Sequence, residues 1–253
     1  MRPRFTTRGD DLCQSPLAKL PVVMVFKVGP ERTAWQGSAL TLKPTLNRKG
    51  QCLAWKYFKD PRVQSGLTPE QYLTWFEQQA NQPVADLDDE AAQMVEYTRL
   101  NLHRSQRIER TFQPSSRLAE LLTRIKQPQL WLVITEPWCG DSAQCLPYIT
   151  VMARTNPNIT VRLVLRDENL DLMDEFLTNG KRAIPRLVAF DQAGQEVFQW
   201  GPRPAAAQAV FDLAKAEDME KSDLLERLHL FYGRDRGKAL EKEFVTLLES
   251  LNT

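Results

Sequence analysis

Five consecutive residues in the middle of the chain, Trp138-Cys139-Gly140-Asp141-Ser142, place a thiol where it can do chemistry. The apolar run 129–135 ahead of them reads as a strand and residues 139–154 as a helix, so Cys139 stands at a helix N-terminus. There, unpaired backbone N–H groups and the positive end of the helix dipole favour the thiolate, the nucleophilic form. Ser142, one turn on, can donate a hydrogen bond to the sulfur, whereas Asp141 opposes the thiolate with its own negative charge. The balance predicts a Cys139 pKa below the roughly 8.5 of a free cysteine. The nearest other thiol is Cys145, about 9 Å further along a helix and rotated by roughly 120°. A disulfide needs Cα atoms within about 6.8 Å, so a Cys139–Cys145 bridge would require the helix to unwind. Cys145, followed by Leu146 and Pro147, reads instead as a small buried hydrophobe. Cys13 and Cys52 carry no recognisable role, and neither His103 nor His229 has neighbours at metal-ligand spacing.

The elements that must position this thiol follow from periodicity. Thr68-Pro69-Glu70-Gln71 reads as a helix start, with Thr68 as N-cap, proline at the first helical position and Gln71 closing a capping box, and the helix runs to about Ala80. A longer helix opens on the acids Asp86, Asp88, Asp89 and Glu90 and runs towards Phe112. Its expected apolar arc holds Leu87, Ala91, Met94, Val95, Tyr97, Leu102, Ile108 and Phe112. Arg99, His103, Arg104, Arg107 and Arg110 lie opposite, as a solvated basic face or, less simply, an anion-binding one. A third helix spans about 115–126. Then strands and helices alternate: strand 129–135, helix 139–154, strand 159–166, helix 170–177, strand 186–191, a turn at Gln192-Ala193-Gly194, strand 196–200 and helix 205–216. Two helices, about 222–231 and 235–251, close the chain. The first βαβ unit implies a parallel pair and the short Gly-containing turn an antiparallel hairpin, giving a sheet ordered 159–166, 129–135, 186–191, 196–200.

Composition bounds the function. The chain has 253 residues, 42% hydrophobic and 26% charged, enough for a sizeable core. Its longest apolar runs fall well short of the roughly 20 residues of a membrane span, and the N-terminal arginines are not followed by the apolar stretch of a secretory signal. No membrane association is expected, and the cytoplasm is the expected location. The formal net charge of +1 makes no case for nucleic acid. It hides an asymmetry: residues 1–60 hold 11 Lys/Arg and 4 Asp/Glu, whereas the remainder is net acidic. Pro3, Pro16, Pro21, Pro30 and Pro44 break every candidate element in that basic segment, which is expected to be a poorly ordered extension over 1–63. A helical section over 64–128, a central domain over 129–218 and C-terminal helices over 219–253 complete the expected organisation.

The motif and its setting resemble the thioredoxin superfamily over roughly residues 130–216. Trp138-Cys139-Gly140, with Pro147 eight residues after the cysteine, and the later Ala183-Ile184-Pro185 opening a strand, match that superfamily in order, spacing and element type. Thr135-Glu136-Pro137-Trp138-Cys139-Gly140-Asp141-Ser142, Arg166-Asp167-Glu168-Asn169 and Trp200-Gly201-Pro202-Arg203-Pro204 are similar to a little-characterised bacterial group of thioredoxin family proteins. The group's helical N-terminal section includes Tyr97-Thr98-Arg99-Leu100-Asn101 and Arg104, and its members begin near residues 64–72. The resemblance implies an α/β thioredoxin-like fold, a four-stranded mixed sheet flanked by helices, with N-terminal and C-terminal helical additions. It implies a cis peptide bond at Pro185 facing Cys139, with Trp138, Ile184 and Arg186 on the substrate side. Arg186 would then stabilise a thiolate or hold an anionic substrate, or else pair with Glu136 or Asp167. Two positions depart from the dithiol pattern. Ser142 stands where the resolving thiol would be, and Val133 stands where a buried aspartate would accept its proton.

The departures point to a monothiol redox protein that forms a mixed disulfide through Cys139 with glutathione or a partner protein thiol, without a bound cofactor. A non-catalytic binding module is the alternative. A glutathione-dependent iron–sulfur carrier ranks third, because Asp141 departs from the residue that such monothiol glutaredoxins carry. Removing residues 1–60 is expected to leave the melting temperature within a few degrees, as measured by calorimetry.

Overall fold

A computed structural model of the chain describes residues 58–251. The basic segment with Cys13 and Cys52 lies almost wholly outside the described residues. Nine helices and four strands are described: α1 (Pro61–Gln64), α2 (Pro69–Ala80), α3 (Asp89–Thr111), α4 (Ser116–Thr123), β1 (Gln129–Thr135), α5 (Gly140–Arg154), β2 (Ile159–Leu165), α6 (Leu170–Met173), β3 (Arg186–Asp191), β4 (Glu196–Trp200), α7 (Ala205–Ala216), α8 (Lys221–Asp235) and α9 (Lys238–Ser250). The sheet order is β2-β1-β3-β4. β1 runs parallel to β2 and antiparallel to β3, and β4 is antiparallel to β3. This is the thioredoxin-like α/β sheet expected, and β1, which carries Cys139 at its exit, lies inside it.

A central strand must be apolar on both faces, and β1 is. Trp131 and Val133 point into one core with Tyr72, Phe76, Leu118, Ile149 and Phe244. Leu130, Leu132 and Ile134, alternating with them, point into a second with Val164, Val188, Phe190, Met173 and Cys139. The helical additions belong to the first core, so they are structural parts of the domain. On α2 the capping box is present atom by atom. The Gln71 N–H donates to Thr68 Oγ1 at 3.3 Å, and the Thr68 N–H donates to Gln71 Oε1 at 2.9 Å.

Four expectations change. The packed chain begins upstream of residue 64: the Phe58 ring packs against Phe190 with centroids 6.3 Å apart and planes tilted by 59°, Val63 is fully buried, and Asp60 caps α1 through the Arg62 N–H. A truncation that tests the basic segment alone therefore ends at residue 57. Leu87, which falls before the N-cap of α3, and Met94 on it are exposed, while Thr98, Asn101 and Ser105 of α3 are buried. The inner face is part polar because Asn101 and Ser105 hydrogen-bond the Pro137 and Ala143 carbonyls beside the thiol. Arg104, placed on the solvated face, is half-buried and leans on Tyr97. The helix expected over 170–177 stops at Met173. Thr178 and Lys181 pair across Asn179 and Gly180, both left-handed at φ 50° and 75°, the geometry of an Asn-Gly turn.

Phe244 on α9 is fully buried against Trp131, Phe198 and Trp200. Phe244→Ala is expected to cost about 3–5 kcal/mol in chemical denaturation. Leu230→Ala, at a half-exposed position of α8, is expected to stay within about 0.5 kcal/mol.

Candidate active site

The turn between β1 and α5 is fastened before the cysteine. The Cys139 N–H donates to the Glu136 carbonyl at 3.2 Å, and Asn101 Nδ2 donates to the Pro137 carbonyl at 3.1 Å. Cys139 is the N-cap of α5, with extended backbone, one position outside the helix that the sequence suggests it opens. Its sulfur does what a serine or aspartate oxygen ordinarily does there, accepting the Ser142 N–H at 3.4 Å. Its S–H donates to the Ile184 carbonyl at 3.3 Å. The Ile184–Pro185 bond is cis, and the sulfur's two bonds bring Ser142 and Ile184, the residue before Pro185, against Cys139.

The electrostatics run against the sequence expectation. Cys139 is only 9% exposed, and burial, then the Asp141 carboxylate, push its pKa up to about 11. The backbone N–H of Ser142 opposes that rise without overcoming it. The buried Ser142 hydroxyl has no hydrogen-bond partner among the described residues, yet it stands near enough to the sulfur to act in the same direction. The expected depression is thus reversed: a helix terminus cannot outweigh the loss of water around a sulfur whose proton is bonded to a carbonyl. Cys145 is fully buried, its S–H directed at Tyr232 Oη at 3.9 Å, and burial raises its pKa well above the ordinary value.

Arg186 joins neither the thiol nor Glu136 or Asp167. It donates to the Gly201 carbonyl at 3.3 Å and to the Gln199 carboxamide, while its buried Nε has no partner. β3 lies between β1 and β4, and Arg186 leans across the sheet towards β4, away from the strand that leads to Cys139. The two acids are engaged elsewhere: Asp167 bonds Arg166, and Glu136 accepts the Asp167 N–H at 2.8 Å. Trp138 is half-buried, donating to Asp167 Oδ2 at 3.2 Å beneath the Arg166 guanidinium, 4.6 Å from its ring centroid.

Two polar clusters at the start of α5 escape sequence reasoning. In the first, Asp141 Oδ2 meets Arg203 Nη2 at 2.5 Å and Oδ1 accepts the Tyr232 O–H at 2.5 Å; the two charged side chains are 10% and 13% exposed. In the second, Tyr97 Oη lies 3.1 Å from His229 Nε2, and His229 Nδ1 lies 3.3 Å from Gln144 Nε2. Burial, then the Arg104 charge, lower the His229 pKa to about 4, leaving a neutral ring at pH 7. This second pair rests on Gly140. A Cβ there would stand 2.7 Å from Tyr97 Oη and 2.9 Å from His229 Cε1, so any other residue would force one of these side chains to shift. Gly201 is bound as tightly to the opposite side, with φ at +114° and its Cβ position 2.2 Å from the Pro185 carbonyl. Among the described residues no group of three or more His, Cys, Asp or Glu is placed to hold a metal, and no helix is long and apolar enough to cross a membrane.

A family model described as thioredoxin matches residues 88–219, just over half of the chain. The chain belongs to the thioredoxin family. No curated protein sequence matches it. Among solved structures it is similar to an HIV epitope-scaffold, with 20% identity, 74% of this chain and 95% of that one covered and a TM-score of 0.48. It is also similar to a protein of unknown function from Pseudomonas aeruginosa, with 19% identity, 73% and 98% covered and a TM-score of 0.46. The thioredoxin match starts at Asp88, the N-cap of α3, and stops before α8. It therefore includes Tyr97, Asn101 and Arg104 and leaves out His229 and Tyr232. In this thioredoxin-family chain Val133 is fully buried in the first core, so that position offers no proton acceptor.

Asp141→Asn removes the nearest anion that raises the Cys139 pKa. The apparent pKa from iodoacetamide alkylation against pH is expected to fall below that of the unaltered protein. Stability is expected to fall by about 3–5 kcal/mol, because the variant leaves Arg203 buried without its counter-charge.

Proposed function

We propose that the protein is a monothiol thioredoxin-family redox protein that works through Cys139. The observation that carries this reading is the position of the sulfur, at the N-cap of α5 and bonded to the Ile184 carbonyl beside Pro185, with Ser142 in place of a second thiol. In the forward step the Cys139 sulfur attacks a disulfide, forming one S–S bond and breaking another. The thiol proton leaves with the departing thiolate. A second external thiol then attacks the mixed disulfide and restores Cys139. Glutathione or a partner protein thiol serves in both roles, and the cytoplasm, where such thiols are kept reduced, is the setting we propose.

Because burial holds Cys139 as the thiol at neutral pH, the reaction is slow at rest and base-dependent. Below the pKa the thiolate fraction rises tenfold for each pH unit. A second reading, a thioredoxin-fold binding module with an unused cysteine, draws on the same burial.

Glutathione disulfide is expected to add one glutathionyl group, on the peptide that contains Cys139, as read by mass spectrometry. Cys139→Ser abolishes the adduct, and Cys145→Ser leaves it unchanged. The rate of addition is expected to climb about tenfold per pH unit from pH 7 to 9 without a plateau. Failure to form the adduct at pH 9, where the thiolate fraction is about a hundredfold that at pH 7, would move the binding module to first place.

A further inference from the structure

The side of the site that faces α3 carries hydrogen-bond donors with no acceptor among the described residues. In the observed orientation of Gln144 its amide nitrogen faces His229 Nδ1 at 3.3 Å. An amide nitrogen can only donate, so Nδ1 is the acceptor, and the single proton of the neutral ring sits on Nε2. The Nε2–H then donates to Tyr97 Oη across 3.1 Å. The Tyr97 O–H is left with no acceptor among the described residues.

Arg104 stands beside it. Its guanidinium carbon is 5.8 Å from the centre of the Tyr97 ring, and Nη1 donates to Asn101 Oδ1 at 2.9 Å. Burial, with the Arg107 charge adding to it, lowers the Arg104 pKa from the ordinary value, and the Tyr97 hydroxyl, close enough to take one of its N–H groups, opposes that; no carboxylate among the described residues acts on it. The acids nearby are committed. Asp141 serves Arg203 and Tyr232, and Glu96 serves Arg99. A half-buried guanidinium without a counter-charge is costly unless a ligand supplies one. The place is beside the reacting sulfur, since Tyr97 Oη lies 2.7 Å from the Cβ position of Gly140, the residue after Cys139.

We propose that Arg104 and Tyr97 form a carboxylate-recognition subsite beside Cys139 that holds an acid group of a low-molecular-weight thiol or disulfide while its sulfur meets the cysteine. The substrate class rests on the monothiol reading above; the anion site itself rests on the spare donors. Arg104 supplies charge and a planar pair of N–H groups, and Tyr97 supplies one O–H. His229 is a positioning residue, because its Nε2–H occupies the Tyr97 lone pair and turns the hydroxyl proton outward.

S-Methylglutathione, which keeps both carboxylates but has no reactive thiol, separates binding from redox chemistry. In calorimetric titration it is expected to bind the full chain. Arg104→Gln is expected to weaken binding at least about tenfold and Tyr97→Phe about threefold. The diethyl ester of the same compound, tested on the unaltered protein, is expected to bind as weakly as the parent does to Arg104→Gln, and this arm needs no variant to fold. Equal binding of ester and acid, full affinity in Arg104→Gln, or no binding by the unaltered protein would each overturn the subsite. An acetylated, amidated Glu-Cys-Glu peptide with S-methylated cysteine is the second probe. If it binds and S-methylglutathione does not, the carboxylate belongs to a protein segment and the small-molecule assignment falls. Reaction with the uncharged 2-hydroxyethyl disulfide reports on the monothiol reading separately. Lack of a Cys139 adduct sinks that reading, while the S-methylglutathione titration still decides the subsite.

Discussion

A carboxylate with a tenth of its surface exposed has to be neutralised where it stands, and Asp141 imposes that condition two residues after the cysteine. Its charge is answered by Arg203, which arrives from the end of β4, and by Tyr232, which arrives from α8. Removing one partner of such a pair leaves a buried charge without compensation, so the three elements hold one another in place. The arrangement also sets the path of the chain around the site. Arg203 follows Gly201, whose backbone lies against the Pro185 carbonyl, and stacks on Phe211 at 4.3 Å. One ion pair thereby ties the helix start, the hairpin end and the C-terminal helices to the loop that faces Cys139.

The sulfur of Cys139 has two tasks in this frame. As N-cap it accepts a backbone N–H, and through its own proton it donates to the Ile184 carbonyl. Only the protonated form does both. Burial and Asp141 act in the same direction as the second bond, and together they outweigh the helix terminus. The resting site is a thiol held ready in position, with its ionisation set by how much of the surrounding protein or solvent reaches it.

Local pattern was legible where a residue's neighbours in sequence are also its neighbours in space. The capping box of α2, the alternating strand β1 and the Gly-containing turn before β4 were all readable for that reason. The Asn179-Gly180 turn carried a readable signal as well, but the apolar spacing around it suggested a helix and masked it. The Cys139 and Pro185 pairing was recoverable only through a family pattern, since 45 residues of sequence lie between them. Nothing local announced that Asp141 would find Arg203, or that Tyr97 and His229 would meet over Gly140. The sign of the Cys139 shift was beyond reach for the same reason, because burial is a property of the assembled fold and helix polarity a property of the segment.

Gly140 carries a consequence for how this chain can change over evolutionary time. Its missing side chain is the space that Tyr97 and His229 fill, one from α3 and one from α8. A larger residue at 140 becomes admissible only once one of those aromatic groups has already shrunk or moved, and shrinking one while glycine remains opens a gap beside the thiol. Substitutions at the three positions are therefore non-additive, and a double-mutant cycle between any two would register coupling. The residue that follows the cysteine is selected jointly with two others, dozens of positions away on either side, so the three can be exchanged only as a set.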